Sequence, residues 1–178
     1  MRKNSGTDSF NLLFNNKERK KENGMATIRI GDKAPDFALA NQAGKIVKLT
    51  DFRGKKLLIY FYPKADTPGC TVQACSVRDS MSELAGKGIS VVGISPDPAD
   101  KQKKFEQKYS LNFPLLSDED HKIAITYGAW GEKSLYGKAY MGILRSSFLI
   151  DEVGTIIEAW YNVKPEDTVP NARKLIKK

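Results

Sequence analysis

The sequence predicts an α/β domain: a mixed central β-sheet flanked by helices on both faces. Three features carry that expectation. The runs Lys56–Tyr62 and Ile89–Ser95 are almost unbroken in apolar residues, as strands buried on both faces require. A helical period lies between them, so they join as a parallel βαβ unit. Two later runs, Ile143–Ile150 and Thr155–Tyr161, are linked by the turn Asp151-Glu-Val-Gly154 and add antiparallel edges.

Taken in order, residues 30–39 read as a loop entering a short strand. Asn41-Gln-Ala-Gly44 turns the chain into Ile46–Leu49 as a hairpin, and Asp51-Phe-Arg-Gly54 is a second turn before the first buried strand. Val77, Met81 and Leu84 recur at i, i+4 and i+7, the buried stripe of a helix that stops at Gly86 or Gly88. After Ile89–Ser95, the prolines at 96 and 98 introduce a polar helix over Asp100–Tyr109, with Phe105 and Tyr109 on one face. Phe113–Leu116 makes a short strand and Asp120–Tyr127 a short helix. Residues 128–141 show no clear period and are expected as a loop. After the second hairpin, residues 166–178 form a basic amphipathic helix with Ala172, Leu175 and Ile176 turned inward.

Composition narrows the function. The chain has 178 residues and a formal charge of +8, and one domain is expected at about 100–200 residues each. Residues 1–24 carry six Lys or Arg against three Asp or Glu, and residues 164–178 carry five against two. The body between them is close to neutral, so the basic face that a nucleic-acid binder needs is missing. The longest wholly apolar or aromatic run is Leu57 to Tyr62, far below the roughly 20 residues of a membrane span. Residues 1–27 are expected as a disordered basic extension and residues 28–178 as the folded domain. A start at Met25 would account for the extension equally well. The arm lacks the apolar stretch of a secretory signal. Two cysteines and one histidine are too few for a disulfide scaffold or a four-ligand zinc site, and the default compartment is the cytoplasm. Any role for Cys70 and Cys75 is then reactive.

One segment stands out: Tyr60-Phe-Tyr-Pro-Lys-Ala-Asp-Thr-Pro-Gly-Cys-Thr-Val-Gln-Ala-Cys75. It leaves the carboxyl end of the first central strand, where open α/β sheets place their ligands. Thr67 before Pro68 reads as an N-cap with proline at the first helical position. Cys70 then falls third in the helix, among unpaired backbone N–H groups whose partial positive charge favours a thiolate. Gly69 leaves one side of the sulfur unshielded, and Thr67 offers a hydroxyl on the same turn. Cys75 follows after about 7.5 Å of rise and 140° of rotation in an intact helix. Disulfides want Cα atoms about 4.4–6.8 Å apart, so the pair can bridge only if the first turns unwind. Arg145 sits between apolar Ile143-Leu144 and Phe148-Leu-Ile150, an odd place for a merely solvated charge. His121 reads as a surface residue at a helix start, and Lys101, Lys103, Lys104 and Lys108 as a solvated face. Trp130 and Tyr136 either border a pocket or docking face or tuck against the core.

The run Pro63-x-x-x-Thr67-x-x-Cys70 resembles the active-site motif of the peroxiredoxins, and Cys70-Thr-Val-Gln-Ala-Cys75 resembles their bacterioferritin-comigratory-protein or PrxQ subfamily. The likeness extends over residues 28–163 through Gly31-Asp-Lys-Ala-Pro-Asp-Phe37, Val92-Gly-Ile-Ser-Pro-Asp97, Tyr127-Gly-Ala-Trp130 and Gly142-Ile-Leu-Arg-Ser-Ser-Phe-Leu-Ile-Asp151. The resemblance implies a thioredoxin-like fold, no cofactor or metal, and a monomer that reduces hydrogen peroxide and organic hydroperoxides with electrons from thioredoxin or a related dithiol. It also implies that Cys70 is the peroxidatic cysteine and Cys75 the resolving one. Thr67 would orient the peroxide oxygens, Pro63 would shield the site from water, and Arg145 would hold the thiolate. Two other readings stand beside this one. A thioredoxin-type oxidoreductase is disfavoured by the four-residue spacer, and a redox-responsive adaptor switched by the same disulfide would consume about one peroxide per chain rather than many.

Overall fold

The computed structural model describes residues 27–176. Residues 1–26 of the expected extension and the last two residues of the closing helix lie outside the described residues. The elements run β1 (Ala38–Asn41), β2 (Ile46–Lys48), a 3-10 turn (Leu49–Phe52), β3 (Lys56–Phe61), α1 (Pro68–Gly86), β4 (Ile89–Ser95), α2 (Ala99–Tyr109), β5 (Leu115–Ser117) and α3 (Lys122–Thr126). They continue with β6 (Trp130–Leu135), β7 (Lys138–Ile143), β8 (Ser146–Ile150), β9 (Ile156–Trp160), a second 3-10 turn (Pro165–Asp167) and α4 (Thr168–Ile176).

Seven strands form the central sheet in the order β2-β1-β5-β4-β3-β8-β9. The parallel element is β3 against β4 and β4 against β5, while β8 and β9 continue antiparallel from β3. The expected crossovers and terminal hairpin are therefore present. Alternation along β3 feeds two cores. Ile59 and Phe61 pack with Val92, Tyr127 and Phe148 on one face. Leu58, Tyr60 and Tyr62 pack with Cys70, Ala74, Val77 and Leu84 of α1, Phe105 of α2, and Val169 and Ala172 of α4 on the other. Every residue of Leu57–Phe61 is buried, which is why the run lacks polar alternation.

Helix α1 begins at an N-cap and ends for a backbone reason. Gly88 has φ +71°, a conformation that glycine adopts without the steric cost a Cβ would bring.

Two expectations fail. Residues 128–141 are not a loop: β6 and β7 form a separate two-stranded hairpin in which Leu135 pairs with Lys138. Tyr136 and Gly137 make its two-residue turn, with φ +50° and +75°, the left-handed pair that matches strand twist. Residues 132–142 are exposed or half-exposed on both faces, so no buried stripe imprints a period on the sequence. Nor is Ile143–Ile150 one strand. The ladder breaks at Leu144 and Arg145, where the Leu144 N–H donates to the Ala129 carbonyl at 2.8 Å and the Val163 N–H to the Arg145 carbonyl at 2.9 Å. Smaller shifts of one to two residues separate both ends of β5 and α3, and the start of α4, from expectation.

Candidate active site

The site forms where β3 ends and α1 begins. Pro63 follows β3, half-buried, and opens a loop that two clamps fix to α2 and β4. In one, the Ala65 N–H donates to Asp97 Oδ2 at 2.7 Å, and buried Asp97 also accepts from Ser95 Oγ at 2.8 Å. Gln102 Nε2 donates to Ser95 Oγ, and the Tyr62 hydroxyl donates to Gln102. In the other, Asp66, at φ +60°, accepts from Lys108 Nζ at 2.8 Å and the Tyr109 hydroxyl at 2.7 Å. These two donors hold the Asp66 carboxyl below its ordinary range. The expected solvated lysine face thus contributes one member, Lys108, to the loop.

Thr67 is the N-cap of α1, with extended backbone, and Pro68 is its first residue. Its hydroxyl does not cap the helix. It donates to the Lys64 carbonyl at 2.8 Å, which leaves its lone pairs to serve as acceptors. The Thr71 N–H is the first to bond back, to the Thr67 carbonyl at 2.8 Å. The Gly69 and Cys70 amides therefore precede the helical ladder. Cys70 is buried at 2% exposure.

Arg145 reaches this turn because the ladder breaks beneath it. Its Nη2 donates to Cys70 Sγ at 3.4 Å and its Nη1 donates to Gln73 Oε1. The guanidinium passes so close to Gly69 that a Cβ there would lie 3.3 Å from Nη2 and 3.2 Å from Pro165 Cγ. Glycine at 69 thus serves a close approach rather than a turn. In the core that Cys70 shares, the Tyr60 hydroxyl has no hydrogen-bond partner among the described residues. Burial, then the neighbouring Tyr62 and Cys70, push its ionisation well above the ordinary tyrosine value, so it stays a neutral phenol.

Cys75 is half-buried further along α1, and both cysteines are free thiols. The helix is continuous from Pro68, which keeps the two sulfurs about 140° apart around its axis. Of the expected site residues, Cys70 and Arg145 are thus in direct contact, Pro63 and Thr67 stand at the start of the preceding loop and at the helix cap, and Cys75 stands apart.

Chemically, a buried sulfur faces a guanidinium fork and free helix N–H groups, with an acceptor hydroxyl at the cap. Such a set of donors and acceptor suits a small polar molecule whose adjacent oxygens can take several hydrogen bonds. Residues 30–159 match the AhpC/TSA family. The chain belongs to that family. Within it, the peroxiredoxin Bcp of Escherichia coli is 56% identical over 132 residues, covering 74% of this chain and 85% of that protein. The Bcp of Bacillus subtilis is 47% identical over 151 residues, 85% of this chain and 96% of that one. Among solved structures, peroxidoxin BcpB of Mycobacterium tuberculosis superposes with a TM-score of 0.75 at 33% identity, over 84% of this chain and 97% of that one. The bacterioferritin comigratory protein of Xanthomonas campestris, solved as trapped intermediate and ligand complexes that bear on its alkyl peroxide reduction, superposes at 0.71 and 32% identity, over 79% and 88%. This peroxiredoxin is therefore a thiol peroxidase with the thioredoxin-like fold, taking peroxides as substrates and a thiol as reductant.

Sequence reasoning missed Gln73 and Thr168. Gln73 carried a signal, since it lies three residues after Cys70 and shares its helix face. Thr168 carried none, being 95 residues from the Gln73 amide that donates to it at 2.7 Å. His121 does stand at the start of α3, as its N-cap, but half-buried at φ +60°. Its ring lies 3.9 Å from that of Trp130, stacked at 13°. Trp130 packs against the core, and Tyr136 does the opposite, 96% exposed at the hairpin tip.

Proposed function

We propose that this peroxiredoxin reduces hydrogen peroxide and organic hydroperoxides through Cys70, resolves the product with Cys75, and is reset by thioredoxin or a related dithiol. The observation that carries the reading is the Arg145 Nη2 contact to a sulfur in the first turn of α1. The guanidinium and the unpaired amides of the helix start flank the sulfur, where they can meet charge that grows on a bound peroxide.

In the first step the Cys70 thiolate attacks one peroxide oxygen. The S–O bond forms as the O–O bond breaks, and the leaving alkoxide or hydroxide takes a proton to become alcohol or water. Sulfur loses two electrons to the peroxide and becomes a sulfenic acid. The Thr67 hydroxyl, its proton committed to Lys64, accepts the O–H of the incoming hydroperoxide. The Cys70 N–H and the Arg145 fork meet the charge that grows on the oxygens. Pro63 shields the pocket from water. The Cys75 sulfur then displaces hydroxide from the sulfenic acid, the S–S bond forms and water leaves. An outside dithiol exchanges with that bond, restores both thiols and becomes a disulfide itself. The alkyl peroxide reduction named for the Xanthomonas campestris relative supports organic hydroperoxides as a substrate class. Both sulfurs lie in one chain, so a monomer suffices.

The test is peroxide consumption coupled to a thioredoxin system, with non-reducing digestion and mass spectrometry of peroxide-treated protein. Many turnovers and an intrachain Cys70–Cys75 bridge are expected. Cys70→Ser should be inactive, because a hydroxyl is too weak an acid to supply the nucleophile. Cys75→Ser should consume one peroxide and stop at a trappable sulfenic acid. Free thiols after turnover with dithiol withheld, or bridges between chains alone, would overturn the two-cysteine scheme.

A further inference from the structure

We propose that Thr168, the first residue of α4, is a positioning residue that latches the first turns of α1 in helical form and so sets how fast Cys75 can reach Cys70. The inference rests on the disulfide chemistry proposed above.

Gln73 lies between the two cysteines. Whatever unwinding brings their sulfurs together must carry it along, because a helix spanning both holds their Cα atoms beyond bridging distance. Gln73 is also completely buried and doubly bound. Its carbonyl accepts from Arg145 Nη1, and its amide donates to Thr168 Oγ1 at 2.7 Å. Thr168 is itself buried, with Ser147 Oγ of β8 at 3.4 Å from its hydroxyl. Unwinding must break the Gln73–Thr168 bond inside the protein, where such a bond is strong and an orphaned partner is costly.

The rest of the C-terminal segment is arranged around that bond. Pro165 lies against Gly69, at the start of the portion that must unwind. Val169 and Ala172 pack in the same core as Cys70 and Ala74. Five residues past the latch, Arg173 donates to Glu83 Oε2 at 2.6 Å and Ser80 Oγ at 3.2 Å, on the part of α1 beyond Cys75. Helix α4 is thus anchored at one end to the half of α1 that can stay helical and latched at the other to the half that cannot. Because resolution follows a local opening equilibrium, weakening the latch raises the observed rate by the same factor as it raises the open population.

Thr168→Val keeps the shape and deletes the hydroxyl. After one equivalent of hydrogen peroxide, with alkylation and mass spectrometry at timed quenches, the Cys70–Cys75 bridge should form about 5- to 30-fold faster than in wild type. The sulfinic fraction in excess peroxide should fall, since a second peroxide has less time to meet the sulfenic acid. Thr168→Ser, which retains the hydroxyl, should return to within about threefold of the wild-type rate. A Thr168→Val rate equal to or below wild type would overturn the latch. A wild-type protein that forms no such bridge would instead overturn the disulfide scheme, so the two failures are distinct. Should Thr168→Val not fold, hydrogen exchange on wild type decides. Amides over residues 168–172 should exchange at least about tenfold faster in oxidised than in reduced protein, and equal protection would refute the latch.

Discussion

Removing the Arg145 guanidinium tests the site most directly. Arg145→Ala deletes one charge-assisted contact to Cys70 Sγ, 3.4 Å long, and leaves the Gln73 carbonyl without its donor. Hydrogen bonds to charged groups contribute about 1.5–3 kcal/mol net, and loss of one oxyanion-hole donor costs about 2.7–4 kcal/mol. A combined loss of about 2–4 kcal/mol converts to a slowing of the first attack by about 30- to 1000-fold. Arg145→Lys should fall between wild type and Ala, because an ammonium restores the charge without the two-pronged fork that spans sulfur and Gln73. Stopped-flow measurement of the second-order rate with hydrogen peroxide isolates that step. Formation of the Cys70–Cys75 bridge, followed separately, should not slow, because Arg145 holds Gln73 in the helix rather than helping it leave. An Ala variant that folds normally and attacks peroxide within about threefold of wild type would refute the assignment of Arg145 to the reacting sulfur.

Three further outcomes follow from neighbouring contacts. Gly69→Ala places a Cβ 3.3 Å from Arg145 Nη2 and 3.2 Å from Pro165 Cγ, which forces a shift of a few tenths of an ångström and should slow attack about 2- to 10-fold in the same stopped-flow assay. Faster attack would contradict that packing. Tyr60→Phe removes a buried hydroxyl that lacks a partner among the described residues, so thermal denaturation should show a gain of about 1–2 kcal/mol and a Tm higher by about 2–6 °C; a lower Tm would mean the hydroxyl is satisfied. Lys108 and Tyr109 hold the Asp66 carboxyl below its ordinary range, and a depressed carboxylate stabilises the fold above its unfolded value and loses that effect as pH falls through the folded one. Denaturation of wild type against Asp66→Asn, a residue that tolerates the left-handed backbone, should therefore show a wild-type advantage near neutral pH that shrinks below about pH 4. An advantage that grows on acidification would refute the clamp.

Much of the site was legible because its signals are local. Thr67, Pro68, Gly69 and Cys70 occupy the cap and first turn that their residue types foretell, and the strand that delivers them is a run of adjacent apolar residues. Buried strands and helix starts write themselves into contiguous sequence, since burial and capping act on each residue together with its near neighbours. The β6–β7 hairpin left no such trace. It stands outside the central sheet with solvent near both faces, so hydrophobic alternation had nothing to record.

From residue order alone came the α/β class, the parallel core strands, the N-terminal place of Cys70 in its helix and the impossibility of bridging it to Cys75 while that helix is intact. Tertiary structure alone decided which groups meet the sulfur and which distant side chains bond to its helix. Arg145 touches Cys70 because the chain leaves the ladder at Leu144. Gln73 is bound because a threonine 95 residues away is folded against it, and Asp66 because α2 delivers Lys108 and Tyr109. Those contacts depend on packing whole elements side by side, and a hydrogen bond between distant residues exists only after the intervening chain has been ordered to bring its two ends within about 3 Å.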